Sequence, residues 1–178
     1  SIANRQGEIN YQLLTIGEEQ KEYISEAGIK ITADLSISEI KHLDTLIIPG
    51  GGGARKTNLH CLLNSWLNSM LANCRRVVSI CTGAYLLAST NALDHKKATT
   101  HWYFLDDFQA KFPNINVIRD ALYIDHGKIA TSAGISSGVD LALKLIEDDG
   151  GATLAINVAR FLVIHYRRSG NQAQYSIP

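Results

Sequence analysis

Apolar and polar blocks take turns along this chain in a way that predicts strands and helices in alternation. Residues 9–16 (INYQLLTI) form an apolar run between Gly7 and Gly17, which predicts a strand. Residues 29–33 predict a short second strand. Residues 43–49 (LDTLIIP) are almost continuously apolar, the pattern of a parallel strand covered on both faces. Four glycines follow: Gly50, Gly51, Gly52 and Gly53. Residues 59–72 place Leu59, Leu62, Leu63, Trp66, Leu67, Met70 and Leu71 at helical spacing, with Thr57 and Asn58 ahead of them as candidate caps. Residues 76–80 (RVVSI) read as a buried strand, Cys81-Thr82-Gly83 as a turn and residues 84–88 as helix.

The second half continues the pattern. Residues 103–112 predict a short amphipathic helix stopped by Pro113, and residues 115–119 a strand. Residues 122–125 and 128–131 predict a hairpin closed around His126-Gly127. Residues 136–148 predict a helix ended at Gly150-Gly151, with Asp140 as an acid in its first turn at the positive helix end. Residues 153–168 predict a long final helix, whose last turn carries Arg167 and Arg168, the charge that suits the negative end of a helix dipole. The polar tail after Ser169 has no periodicity and reads as a linker or frayed end.

Strands alternating with helices predict an α/β domain, a mostly parallel sheet flanked by helices on both faces. Such sheets bind ligands at the carboxyl ends of their strands. Here those ends are residues 50–53, 81–83 and 132–138, which are predicted to converge on one site.

Composition narrows the class. A length of 178 residues without internal repeats fits one domain. Seventeen basic and seventeen acidic residues cancel, which argues against this chain alone gripping a phosphate backbone or a membrane surface. The cysteines are Cys61, Cys74 and Cys81, an odd count without CxxC spacing, which predicts free thiols in a reducing, cytoplasmic compartment. No apolar run has the length of a membrane span, and no signal peptide is visible. The chain starts Ser1-Ile2-Ala3-Asn4 without an initiator Met and reads as a fragment or a processed chain.

Cys81 carries the candidate chemistry. It lies directly after a buried strand and directly before a helix, the position of a nucleophile elbow. Helix amides there favour an anionic sulfur. Gly83 permits close backbone approach. The amide of Thr82 and one from Gly50, Gly51 or Gly52 are candidates for an oxyanion hole. The alternative is an inert buried thiol. The glycine run matches neither a phosphate loop nor a dinucleotide fingerprint, so no cofactor is implied. His101, in Ala98-Thr99-Thr100-His101-Trp102, is either a general base or a structural histidine stacked beside Trp102. The remaining histidines show no metal-ligand spacing, and no metal site is predicted.

Five motifs in order carry a resemblance over nearly the whole chain. They are Ile48-Pro49-Gly50-Gly51-Gly52, Ile80-Cys81-Thr82-Gly83-Ala84, Ala98-Thr99-Thr100-His101-Trp102, Thr131-Ser132-Ala133-Gly134-Ile135 with Gly138-Val139-Asp140-Leu141, and a closing stretch from Ala159-Arg160 through Gln172-Ala173-Gln174-Tyr175. Together they resemble the ThiJ/PfpI (class I glutamine amidotransferase-like) superfamily, in the form found as the N-terminal sensor domain of AraC-family transcriptional regulators. The resemblance implies a flavodoxin-like fold and a homodimer. It implies a small effector, an amine or amino-acid derivative, held near Cys81 by Gly50, Gly51, Gly52, Thr82, Gly83, Thr100, His101, Trp102, Ala133, Gly134 and Ile135. It divides the chain into a sensor domain at residues 1–168 and a linker at 169–178, which leads toward a DNA-binding domain absent from this sequence. It also expects a strand and helix ahead of Ser1, with an acidic residue for the site. Enzymes of this superfamily usually place a histidine after the elbow cysteine, where this chain has Thr82. Three functions compete: a regulator's sensor, an isonitrile hydratase-like enzyme using Cys81, and a redox module in which Cys81 is reversibly oxidised.

Overall fold

The computed structural model describes residues 1–7, 9–18, 22–56, 61–164 and 168–174. In chain order its helices and strands begin with α1 (Ile2–Gln6), β1 (Ile16–Gly17), β2 (Glu22–Ile24), β3 (Lys30–Thr32), β4 (Leu35–Ser36), β5 (Thr45–Ile48) and α2 (Cys61–Asn73). They continue with β6 (Arg76–Ile80), α3 (Gly83–Ala88), β7 (Lys97–Ala98), α4 (Leu105–Lys111), β8 (Asn116–Val117), β9 (Tyr123–Asp125), β10 (Ile129–Ser132) and α5 (Ile135–Phe161). The main sheet has the order β5-β6-β10-β9. Strands β5, β6 and β10 run parallel, in the register Leu46↔Val77 and Ala130↔Val78, and β9 is antiparallel to β10.

Successive strand side chains point to opposite faces, so a strand apolar throughout must be covered twice. Strand β6 meets that condition. Val77 joins a cluster with Leu46, Ile48, Leu67, Met70 and Phe108, while Val78 joins a second with Leu122, Ala130, Leu141 and Leu145. Both valines are buried, at 0% and 1% exposure, and each contributes roughly 1.5–3 kcal/mol by burial. Helices α2, α3 and α4 supply the first layer and α5 the second.

Strand β5 departs from its pattern. Leu46 and Ile48 are buried, but Ile47 between them is 50% exposed. Among the described residues β5 is an edge strand. An apolar groove of about 900 Å³ runs beside it, lined on the far side by Leu13, Leu14, Ile16 and Ile31. Residues 9–15, expected to be strand, have no ladder; only Ile16 and Gly17 pair, in parallel with Leu35 and Ser36. Thr15 ties this stretch to Asp34 instead, its N–H donating to the carboxylate at 2.7 Å. The expected strand at 29–33 is half of an exposed hairpin, β2–β3. The hairpin at His126-Gly127 forms as predicted, with Gly127 at φ 78°. The expected caps Thr57 and Asn58 lie outside the described residues.

The C-terminal helices differ from expectation in two ways. Helix α5 breaks at Gly151 (φ 82°, ψ 166°), as the paired glycines predicted. It ends at Phe161, however, rather than running to residue 168. The end is a Schellman motif: Ile164 N–H donates to the Ala159 carbonyl (3.1 Å) and Val163 N–H to the Arg160 carbonyl (3.1 Å). Val163 occupies the left-handed position, with φ 55°. Arg168 therefore lies beyond the helix, and its partner is Asp140, not a helix dipole. Arg167 lies outside the described residues.

A charged cluster joins β6 to α5 and the N-terminal stretch. Asp149 accepts from Arg76 at 3.0 and 2.5 Å, from Arg75 at 2.9 Å and from the Tyr11 hydroxyl at 2.8 Å. Arg75 also grips Asp44 through two bonds of 2.8 Å.

Two predictions follow from this packing. Val163 is 92% exposed and pays only the left-handed penalty of about 1–2 kcal/mol. Val163→Gly should therefore raise stability by about 1 kcal/mol, read as an upward shift of the urea midpoint. The second concerns acid. Hydrogen bonds from Arg75 and Thr45 hold the Asp44 carboxyl down at about 2, against an ordinary 3.8. Burial pushes Asp149 up, but the bonds from Arg76, Arg75 and Tyr11 outweigh it and hold that carboxyl below its ordinary value. Both groups release protons more readily when folded. Their stabilisation is present above about pH 4 and is lost as pH falls toward 2. The urea midpoint should fall across that window, and Asp149→Asn should make the fall shallower.

Candidate functional site

The site is built where β6 leaves the sheet. After Ile80 the chain turns through Cys81, which has φ 56°, a left-handed value uncommon for a residue with a side chain. Three bonds hold it there. Cys81 N–H donates to the Ser132 carbonyl at 2.8 Å, extending the β6–β10 ladder by one residue. The Cys81 carbonyl accepts from the Thr100 hydroxyl at 2.8 Å and from the Ala84 N–H at 3.3 Å. Helix α3 then starts at Gly83, whose missing side chain is required: a Cβ there would lie 2.3 Å from the Ile48 carbonyl oxygen.

The glycine loop after β5 packs against this elbow. A Cβ on Gly50 would lie 2.9 Å from the Cys81 Cβ. Thr82 is 3% exposed. Its hydroxyl accepts from Gly51 N–H at 2.8 Å and donates to the Gly51 carbonyl at 3.0 Å. Gly52 N–H donates to the Glu26 carboxylate at 2.5 Å. Of the glycine amides considered for an oxyanion hole, those of Gly51 and Gly52 are thus engaged, which leaves Gly50 and Thr82 as candidates.

A cavity of about 1200 Å³ opens over Cys81. It brings together Gly50, Gly51, Gly52, Cys81, Thr82, His101, Trp102, Ala133, Gly134 and Ile135, all named from sequence. Gly83 and Thr100 are not on its wall; they stand behind it and support Cys81. His101 contacts the tilted rings of Trp102 (centroids 5.7 Å apart, interplanar angle 32°) and Phe104 (5.8 Å, 50°), and its Nδ1 accepts from Tyr103 N–H at 3.3 Å. Cys61 is exposed, Cys74 is buried, and all three thiols are free. Burial pushes the Cys74 thiol up from its ordinary value.

Glu26, Arg55 and Phe104 also line the wall and carried no site signal in the sequence; Gln174 lines it too, named beforehand only within the closing motif. Glu26 sits at the tip of the β2–β3 hairpin, and Arg55 lies 4.2 Å over the Phe104 ring. Nothing in a local pattern says that a hairpin tip returns to the glycine loop. Asp140, expected as a first-turn acid, lies past the first turn of α5, which starts at Ile135; it is 5% exposed and accepts from Arg168. Among the described residues, no group of three or more His, Cys, Asp or Glu side chains is arranged to hold a metal ion.

Residues 3–148 match the DJ-1/PfpI family. The chain belongs to that family. This DJ-1/PfpI chain is 29% identical over 163 residues to the HTH-type transcriptional regulator CdhR of Pseudomonas aeruginosa, covering 92% of this chain and 48% of that protein. It is 30% identical over 133 residues to an isonitrile hydratase of Pseudomonas putida, covering 74% of this chain and 56% of that enzyme. The chain thus spans about half the length of these relatives. Its fold is also that of Drosophila melanogaster DJ-1beta (TM-score 0.77, 21% identity, 93% of this chain and 88% of that one). An AraC family transcriptional regulator from Pseudomonas putida shares it as well (TM-score 0.73, 22% identity, 90% and 86%).

The elbow geometry predicts the effect of one substitution. Thr100 is 0% exposed, and Thr100→Val keeps its volume while leaving the Cys81 carbonyl without that donor. Stability should fall by about 1–3 kcal/mol in urea denaturation.

Proposed function

We propose that this chain is the effector-sensing and dimerising half of an AraC-type transcriptional regulator, whose DNA-binding half lies in another part of the protein. The observation that carries this reading is the match to an HTH-type regulator over 92% of this chain but only 48% of that protein. The commitment of Thr82 supports it. The residue after the cysteine spends its hydroxyl on Gly51 and offers no base to the thiol.

The cavity chemistry supports an amino-acid derivative as effector. Glu26 offers a carboxylate to an ammonium group, and Arg55 a guanidinium to a carboxylate. Trp102 and Ile135 offer apolar surface to the remainder. A bound ligand alters operator affinity only if it favours one dimer geometry over another. The same reading places a further strand, upstream of Ser1, in the groove beside β5.

A second reading, an isonitrile hydratase-like enzyme, is favoured by the 30% identity to such an enzyme and by the exposure of Cys81 to the cavity.

The test uses the full-length protein and a panel of amines and amino acids. A compound that raises the thermal midpoint should shift operator affinity, and Glu26→Gln should weaken its binding about tenfold. Amide exchange at residues 45–48 should be slower in the full-length protein than in this chain. Unchanged operator affinity at saturation would overturn the regulator reading. Isonitrile turnover abolished by Cys81→Ala would establish the enzyme reading in its place.

A further inference from the structure

The described part of the tail, residues 168–174, is docked at three points, and each point bears on the cavity. Arg168 closes the first. Its backbone N–H donates to Asp140 Oδ1 at 2.8 Å, and its Nε and Nη2 donate to Oδ2 at 3.0 and 2.7 Å. Its Nη2 also donates to the hydroxyl of Ser136, a cavity wall residue, at 3.2 Å. The second point is Gly170. Its carbonyl accepts from Leu122 N–H at 2.7 Å and Tyr123 N–H at 3.3 Å, and Leu122 lines the cavity. A Cβ on Gly170 would lie 2.8 Å from the Tyr123 carbonyl oxygen, so the tail lies flush against β9. The third point is Gln174, itself on the cavity wall. Its Nε2 donates to Thr99 Oγ1 at 3.1 Å, the Thr100 carbonyl at 3.1 Å and the Arg119 carbonyl at 3.2 Å.

Thr100 is the residue whose hydroxyl holds the Cys81 carbonyl at 2.8 Å. The path from tail to elbow is therefore one residue long: Gln174 to the Thr100 carbonyl, and the Thr100 hydroxyl to Cys81. Cys81 needs such support, because its left-handed backbone is intrinsically unfavourable. We propose that Gln174 and Arg168 are positioning residues, which couple docking of the tail to the geometry of Cys81 and its cavity. The inference rests on the sensor reading for its biological sense but not for its test. Coupling is reciprocal: a tail that favours one elbow geometry is itself released or held by what occupies the cavity. The tail leads to the part of the regulator where its DNA-binding half is expected, so cavity occupancy acts on that half by freeing or fixing residues 168–174.

The experiment uses this chain, iodoacetamide as the probe and hydrogen exchange as the second readout. Cys61, on α2, is the internal control for alkylation. Exchange of the Leu122 amide, whose acceptor is Gly170, reports whether the tail is docked. In Gln174→Ala, Leu122 exchange should accelerate, and the Cys81 alkylation rate should change at least threefold while that of Cys61 stays constant. Asp140→Asn should do the same from the other end of the segment. Gln172→Ala, in the exposed part of the same segment, should change neither. Conversely, alkylating Cys81 in a Cys61→Ser background should accelerate Leu122 exchange. If Gln174→Ala frees the tail but leaves Cys81 alkylation unchanged, the tail is docked without coupling and the proposal is wrong. It is equally wrong if Gln174→Ala leaves Leu122 exchange unchanged. Neither outcome bears on whether the full-length protein responds to an effector, so this inference and the sensor reading fail separately.

Discussion

Strand β6 lies between two apolar layers, and its next residue, Cys81, must carry the chain out of the sheet. A strand covered on both faces cannot bend gradually into a helix without exposing one of those faces. The turn is therefore concentrated in a single left-handed residue, at a cost of about 1–2 kcal/mol. Ser132, Thr100 and Ala84 hold that residue by hydrogen bonds. Gly50 and Gly83 let the neighbouring backbone close on it to distances no side chain permits. The position of the thiol over the cavity follows from these contacts.

Two carboxylates, Asp140 buried and Asp149 half-buried, tie distant parts of the chain to this frame. Asp149 gathers Arg75, Arg76 and Tyr11, fixing the start of β6 to α5 and to the N-terminal stretch. Asp140 gathers Arg168 and brings the tail back across the start of α5. A buried charge is tolerable when its partners satisfy it, and removing one partner costs more than the pair contributes. Such pairs specify one arrangement of the chain more than they add net stability. Here they decide where the N-terminal stretch and the tail lie, positions that apolar packing alone leaves open.

Local pattern was a good guide where one interaction dominates. The run RVVSI is apolar on both faces and is buried on both. Gly150-Gly151 predicted a helix break, and Gly151 has a positive φ that other residues avoid. The order of strand, Cys-Thr-Gly and helix predicted the elbow. The guide failed where the outcome depends on distant neighbours. Residues 9–15 have a strand's composition but no ladder partner. Ile47 belongs to an apolar run and stands half exposed beside a groove. Residues 162–168 looked helical by composition, yet α5 closes with Val163 in a conformation that its side chain disfavours.

The sequence by itself determined the α/β class, the buried central strand, the elbow at Cys81 and the convergence of glycine loop, elbow and β10–α5 turn. These follow from periodicity and from glycine and the strand-to-helix junction, which act over a few residues. Only the tertiary structure decided that Glu26 and Arg55 face the thiol's cavity, that Thr82 is spent on Gly51, and that Thr100 supports Cys81 from behind. It alone decided that Asp140 and Gln174 hold the tail. Each of those roles is a hydrogen bond or close contact between residues tens of positions apart, and no local pattern encodes which distant partner a polar side chain meets.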